Sequence, residues 1–176
     1  MELSYENLSK YSINLDRDLI DRYFTDENGV TPNQAHRDQI FVLNGEASKY
    51  LWDFEHRIVG VEINTKFYKN ILTYNVVGAT DSEIKRYLYK LGIQFKQWVF
   101  IAEQPTCGFM LTWKMVIKYW SGLFFDDYQQ VWDKSLNWKL VYNHGVFTFG
   151  EDLIFNSTAE SQKILTALAE MKKRNY

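Results

Sequence analysis

The residues that could carry acid–base or nucleophilic chemistry are few in this sequence, and they stand far apart. The three histidines are His36, His56 and His144, and none of them belongs to a motif with metal-ligand spacing. His144 lies between Asn143 and Gly145, in a stretch typical of a tight hairpin turn. Zinc-protease, phosphate-loop and serine-elbow motifs are missing from the sequence, which predicts no catalytic, cofactor-binding or metal-binding residue.

Cys107 is the only cysteine, which excludes an intrachain disulfide and an all-cysteine zinc site. The segment after it is predicted to begin a helix, and a thiolate can be stabilised at such a point. A nucleophile also needs a base, and the sequence does not show which histidine would lie near. A buried structural thiol is the favoured interpretation, and a cysteine nucleophile is the alternative.

Two short segments could bind an ion. Gly78-Ala79-Thr80 precedes a predicted helix, where exposed backbone N–H groups could bind an anion. A strand-to-helix turn with a capping residue explains the same segment, and we favour that interpretation. Asp126-Asp127 could bind a cation, but no companion motif supplies the further ligands that magnesium needs. A solvated turn is therefore favoured for the paired carboxylates.

An excess of carboxylates in the N-terminal third is the feature that points to a binding partner. Residues 1–55 hold 11 Asp and Glu against 5 Lys and Arg, whereas residues 56–176 hold 11 against 15. The candidate partner-binding residues, on or directly after one predicted helix, are Asp16, Asp18, Asp21, Asp26 and Glu27. One interpretation is an ordinary solvated helix face. The other is an acidic surface that meets a basic protein, because complementary charge accelerates encounter.

The composition fits one domain, spanning residues 1–176 and 21.0 kDa, and it favours a binding protein. Twelve Tyr, twelve Phe and six Trp supply a large core, and such residues also suit interfaces. No run of basic residues that would predict a nucleic-acid groove is found. The N-terminal segment does not read as a signal peptide, and no apolar run reaches the ~18 residues of a membrane span. The expected location is the cytoplasm.

The N-terminal region, 1–58, is predicted to be helical. The helical spacing of apolar residues from Leu15 to Phe24 predicts one helix, with Asn14 as its cap. Thr31-Pro32 predicts the start of a second helix, and Asn44-Gly45 precedes a third apolar stripe.

The region 59–176 is predicted to mix sheet and helices. A capping box joins Thr80 to Glu83. Trp113 and Trp120 are expected on one buried face of a helix over 112–121. The predicted strands cover 59–63, 71–77, 98–102, 129–133, 138–142 and 146–149, with 153–155 as a further edge. A final helix begins at Ser157. The class is α+β, with N-terminal helices, then a mainly antiparallel sheet with packed helices, then a C-terminal helix.

The stretch Val99–Gly150 resembles small bacterial proteins of unknown function and, in style, the immunity proteins encoded beside polymorphic or contact-dependent toxins. The resemblance rests on Val99-Phe100-Ile101, Thr112-Trp113 with Trp120, Phe124-Phe125-Asp126-Asp127, Trp138 and the run from Gly145 to Gly150. It covers under a third of the chain, and no active-site residue of a known family maps onto it. Immunity proteins tend to be small, cytoplasmic, often acidic and without catalysis.

These observations lead to one expected function and two alternatives. The expected function is a non-catalytic, immunity-type inhibitor that binds a basic toxin domain and occludes its active site. The first alternative is a small enzyme whose site assembles without a sequence motif, using Cys107 or a histidine–carboxylate pair. The second is a self-assembling structural protein that uses its aromatic residues in a homomeric interface.

Overall fold

The parts of the chain that the computed structural model describes are Asn7, 10–56, Ile63, Thr65, 67–125, 128–153 and Thr166. Together they form an eight-stranded, antiparallel sheet with helices packed on both faces. The α+β class predicted from the sequence is confirmed. The start of the predicted C-terminal helix, at Ser157, lies outside the described residues.

The strands in chain order are β1 Ser12–Ile13, β2 Ile40–Leu43, β3 Tyr68–Asn75, β4 Trp98–Gln104, β5 Cys107–Thr112, β6 Tyr128–Trp132, β7 Trp138–Asn143 and β8 Val146–Leu153. The helices are α1 Arg17–Tyr23, α2 Gln34–Arg37, α3 Gly45–Phe54, α4 Asp81–Lys90, α5 Trp113–Lys118 and α6 Trp120–Leu123. The sheet has the spatial order β1-β2-β5-β4-β6-β7-β8-β3.

Strand β4 lies in the middle of the sheet and is buried on both faces, because its sequence is an apolar run. Val99 and Ile101 join the core that packs against α1, α4, α5 and α6. Phe100 and Ala102 join the core on the opposite face, which α3 covers through Leu51. The sheet is therefore the middle layer of three.

The segment 107–112 is strand β5, and the expectation that Cys107 precedes a helix is wrong. The turn Pro105-Thr106 joins β4 to β5, and their backbones pair from Trp98↔Thr112 to Gln104↔Cys107. The apolar run in β5 is buried on both faces, so it has no alternating pattern that would mark a strand in the sequence.

The N-terminal region was predicted to be helical, but it also contains strands β1 and β2, which join the sheet. The three predicted helices are present, although α2 begins after Asn33 and not at Thr31-Pro32. Strand β2 is only four residues long and buried, so neither length nor alternation distinguishes it from the helical segments around it. The predicted boundary at residue 58 falls outside the described residues.

The C-terminal hairpin forms as predicted. His144 and Gly145 are the two turn residues between β7 and β8, with φ of 45° and 82°. Two positive φ angles in a two-residue loop match a type I′ turn, whose twist suits paired strands. Strand β8 continues to Leu153 and pairs with β3 along its length. Val59 and Val61 of the predicted strand 59–63 lie outside the described residues.

The predicted helix over 112–121 is divided into α5 and α6 at Tyr119. Trp113 is fully buried, as expected. Trp120 is only half-buried, and its Nε1 donates to Asp81 Oδ1 over 2.7 Å. Trp120 packs against the same core as Trp113, as expected, but is less deeply buried, so its loss will cost less than that of a fully buried tryptophan.

Replacement of Gly122 by Ala is expected to lower the free energy of unfolding by about 1–3 kcal/mol, because overpacking strains both backbones. An added Cβ would lie 2.5 Å from the carbonyl oxygen of Tyr23, at the contact between α6 and the end of α1. Urea unfolding measures the change. Gly45→Ala is the matched control, because no atom lies within 4 Å of its Cβ position and it opens α3. Equal stability of the G122A variant and wild type would contradict this contact.

Candidate functional site

Helix α1 positions the predicted acidic residues. Asp16 is its N-cap, and its Oδ1 accepts a hydrogen bond from the backbone N–H of Leu19 at 2.9 Å. Ile20 and Tyr23 are buried against the core, which fixes the face that α1 turns inward. Asp16 therefore has a structural role although it is exposed. The sequence pattern predicts Asn14 as the N-cap, but the N-cap is Asp16.

Asp18 and Asp21 lie on the solvent side of α1, and both are exposed. Asp21 pairs with Arg17 at 3.6 Å, but both side chains are well hydrated, so the pair contributes little stability. Of the five predicted partner-binding residues, these two combine exposure with the least involvement in the fold.

Asp26 is a structural residue of the loop after α1. Its Oδ1 accepts hydrogen bonds from the backbone N–H groups of Asn28 and Val30, at 3.0 and 2.9 Å. Its Oδ2 pairs with Lys118 of α5 at 3.1 Å. The hydrogen bond from Val30 and the adjacent ammonium hold the pKa of Asp26 below its usual value. This carboxylate ties the loop to α5.

Glu27 lies on the surface beside Asp81, the first residue of α4. Desolvation and a hydrogen bond to the Asp81 carboxyl raise the pKa of Glu27. Asp81 is held by Lys85 at 2.7 Å and by the Trp120 N–H. Glu27 therefore extends the acidic region from α1 to the N-terminus of α4.

An exposed aromatic residue lies beside Arg22 and Tyr23 at the end of α1. The side chain of Phe125 is 45% exposed, and its ring centroid lies 5.7 Å from that of Tyr23. The Arg22 guanidinium lies 5.3 Å from the Phe125 ring centroid and 5.1 Å from that of Tyr23. We call Asp18, Asp21, Arg22 and Phe125 the α1 surface. Aromatic residues and Arg are the types that most often dominate binding energy at protein interfaces.

Cys107 lies at the beginning of β5, partly buried, and its surroundings do not favour a thiolate. Burial and the negative charge of Glu103 raise the pKa of its thiol to about 11. A hydrogen bond from Tyr23 and the charge of Arg22 act in the opposite direction but are outweighed. The thiol is therefore protonated at neutral pH, which fits the structural interpretation of this cysteine.

A buried polar cluster lies beside Cys107. Glu103 accepts hydrogen bonds from the Tyr23 hydroxyl, at 3.3 Å, and from Gln129 Nε2. Burial and Glu103 raise the pKa of Tyr23. These residues come from α1, β4 and β6, so the sequence contains no local signal that would predict the cluster. Its hydrogen bonds connect α1 to the sheet.

A second buried polar cluster lies on the opposite face of the sheet, under α3. Glu55 accepts from Trp132 Nε1 at 3.1 Å and from Gln130 Nε2 at 3.5 Å. Lys139, only 2% exposed, donates to Gln130 Oε1 at 3.2 Å. Burial raises the pKa of Glu55 to about 7, although Trp132 and Lys139 favour its charged form. We call these four residues the Glu55 network; no pattern in the sequence predicts it.

Two histidines make contacts that suit structural roles. His36 Nδ1 lies 3.2 Å from the Tyr119 hydroxyl, and burial together with Lys118 lowers the pKa of this histidine. His56 Nδ1 lies 2.9 Å from the backbone oxygen of Trp52. His144 is a turn residue of the hairpin.

The N–H groups of the Gly78-Ala79-Thr80 segment are largely engaged within the protein. Ala79 N–H donates to the Val76 carbonyl at 3.0 Å, and Thr80 N–H donates to Glu83 Oε2 at 2.8 Å. The predicted capping box is thus confirmed. This geometry favours the strand-to-helix turn over an anion site.

The described residues contain no group of three or more His, Cys, Asp and Glu side chains arranged to hold a metal ion. Asp126-Asp127, the predicted alternative for a cation, lies outside them. None of the helices in the described part of the chain has the length and hydropathy of a bilayer-spanning helix.

No known protein family, curated protein or solved structure matches this chain.

Proposed function

We propose that this protein is a non-catalytic binding protein of the immunity type, which binds a basic toxin domain in the bacterial cytoplasm and blocks its active site. The observation that carries the proposal is the α1 surface, where the exposed carboxylates of Asp18 and Asp21 share a short helix with Arg22, whose guanidinium lies over the exposed ring of Phe125. Nucleases need basic active sites because their substrate is polyanionic, so an acidic surface is suited to cover one.

The three components of the α1 surface would serve different steps of binding. The carboxylates attract a basic partner over several ångströms and raise the rate of encounter. Phe125 and Arg22 supply apolar and planar contact area, which sets the rate of dissociation. A stable complex of this kind buries roughly 800 Å² on each partner, so residues beyond this surface must contribute.

The enzyme alternative is less well supported by the groups it would use. The Cys107 thiol is protonated at neutral pH, and the described contacts of His36 and His56 are with a tyrosine and a backbone carbonyl. The perturbed pKa of Glu55 is of a kind found at active sites. However, Trp132 and Gln130 already bind its two oxygens, which fits a structural network.

Reversal of both α1 carboxylates, Asp18→Lys with Asp21→Lys, is expected to slow association at least about tenfold at low salt and to flatten its salt dependence. Asp16 is left unchanged because its replacement would remove the helix cap. The measurement is stopped-flow or biolayer binding to the purified toxin domain encoded beside the gene. Stability should change by under about 0.5 kcal/mol, because the affected charges are exposed.

The matched control is Glu46→Lys with Asp53→Lys, which makes the same change of net charge on α3. That helix covers the opposite face of the sheet from α1. Association that slows equally in both variants would show a general effect of net charge. Unchanged association in the α1 variant, or a neighbouring gene that encodes no toxin, would contradict the proposal.

Replacement of Phe125 by Ala is expected to raise the rate constant of dissociation. The loss of an aromatic anchor typically costs about 2 kcal/mol or more, so dissociation should quicken about thirtyfold while association changes little. Leu72→Ala, which removes an exposed apolar side chain of β3, is the control. Equal dissociation rates for the F125A variant and wild type would exclude Phe125 from the interface.

A further inference from the structure

The C-terminal end of α4 carries an aromatic patch that the proposed function does not use. Tyr89 and Phe95 are 61% and 47% exposed, and their ring centroids lie 5.4 Å apart. Exposed aromatic residues that contact one another form a joint apolar surface, which is more informative than a single exposed ring. The two rings also have limited rotamer freedom, so they lose little entropy on binding.

Cations surround this pair of rings. Lys90 and Lys96, which directly follow Tyr89 and Phe95, are exposed, and residues 84–98 contain no Asp or Glu. Lys114 of α5 is brought to the same corner by a hydrogen bond from its backbone N–H to the Phe95 carbonyl at 3.1 Å. We call Tyr89, Lys90, Phe95, Lys96 and Lys114 the α4 patch. Its partner must be acidic and present some apolar surface.

The α4 patch and the acidic region lie at opposite ends of the same helical layer. Helix α4 runs antiparallel to α5, because Asp81 at its N-terminus contacts Trp120, just after the end of α5, whereas Phe95 beyond its C-terminus contacts Lys114 at the start of α5. The N-terminal end of α4 adjoins Glu27, and α6 packs against the end of α1. Carboxylates therefore outnumber cations at one end of the layer, where Arg17, Lys85 and Lys118 pair with Asp21, Asp81 and Asp26, whereas the other end carries lysines.

We propose that the α4 patch binds the α1 surface of a second copy of this chain, so that molecules associate head to tail. Charge complementarity carries the inference, since each copy presents both an acidic surface with an exposed ring and a basic surface with two exposed rings. The two surfaces differ, so the contact is heterologous and can extend into chains or close into rings. A polyanionic nucleic acid fits less well, because the acidic region and the net charge of −2 oppose it.

Sedimentation velocity over a range of protein concentrations tests this proposal. Wild type should self-associate at low salt and dissociate as salt rises, because the attraction between exposed charges is screened. The acidic-end variant (Asp18→Lys with Asp21→Lys) and the basic-end variant (Lys90→Glu with Lys96→Glu) should each remain monomeric, with association weakened at least about tenfold. An equimolar mixture of the two variants should associate again, since each reversed surface now faces an oppositely charged surface on the other variant.

The outcomes separate the possible occupants of the patch. Wild type that stays monomeric at every concentration and salt, or a mixture that fails to associate, overturns the proposal. Binding of a fluorescent oligothymidine that the basic-end variant loses would assign the patch to nucleic acid and also overturn it. Lys90→Gln with Lys96→Gln weakens self-association without creating a second acidic surface and leaves the α1 surface unchanged, so the binding of that variant to a basic toxin domain tests the proposed function separately.

Discussion

Replacing Glu55 by Gln is expected to remove about 3 kcal/mol from the pH dependence of the free energy of unfolding. The dependence arises because burial raises the pKa of Glu55 from 4.5 to about 7 in the folded protein. Between these two values the folded state holds a proton that the unfolded chain has released. The contribution of Glu55 to stability is therefore fully present below pH 4.5, is lost as the pH rises through 7, and stays lost above it.

Urea unfolding of wild type and the E55Q variant, at intervals from about pH 4 to about pH 8, measures the difference between their two curves. The side-chain amide oxygen that this substitution introduces can still accept from Trp132, so the variant should fold at every pH tested. Glu46→Gln on the exposed side of α3 is the control, and its curve should run parallel to that of wild type. A constant difference between wild type and E55Q across this range would show that folding does not raise the pKa of Glu55.

The second large effect is expected at Trp132, where replacement by Ala should cost about 3–5 kcal/mol. The residue is fully buried, its ring lies against Phe54 and Phe100, and its N–H donates to Glu55. The Trp132→Phe variant keeps most of the ring volume but removes the N–H donor from a buried carboxyl group. That loss should itself cost about 1–3 kcal/mol.

Trp113→Phe is the comparison that isolates this hydrogen bond. Trp113 is equally buried, but its Nε1 has no hydrogen-bond partner within the described part of the chain. Its replacement by Phe therefore loses packing without losing a hydrogen bond, and it should cost less than Trp132→Phe. Chemical denaturation of the two variants at one pH decides the point. Equal losses would mean that the bond between Trp132 and Glu55 contributes nothing net.

Local elements with a side-chain signal were predictable from the sequence. The capping box of Thr80 and Glu83 begins α4, and the Asn143-His144-Gly145 turn joins β7 to β8, because each depends on neighbouring residues alone. Strands β2 and β5 were not predictable in the same way. They are buried on both faces by elements distant in sequence, so their alternation is lost.

The clusters of the candidate site were also beyond the reach of sequence patterns. Glu55 lies 77 residues from Trp132, and Tyr23 lies 80 residues from Glu103. No spacing rule connects residues so far apart, because the sheet order brings them together. The exposed carboxylates of α1 were recognisable as an acidic group, but only the fold shows that Asp16 and Asp26 serve the structure while Asp18 and Asp21 face solvent.

The position of β3 at the sheet edge has a consequence for how the chain folds during synthesis. Its described partner is β8, so the backbone of Tyr74 in β3 cannot pair until Phe147 has been synthesised. Likewise, Val42 of β2 cannot pair until Phe109 of β5 has been synthesised. A ribosome that adds roughly 5–20 residues each second leaves β3 without that partner for several seconds. During that interval the aromatic and apolar side chains of β3 are accessible to chaperones. The pairing of β3 with β8 forms only after β8 has been synthesised.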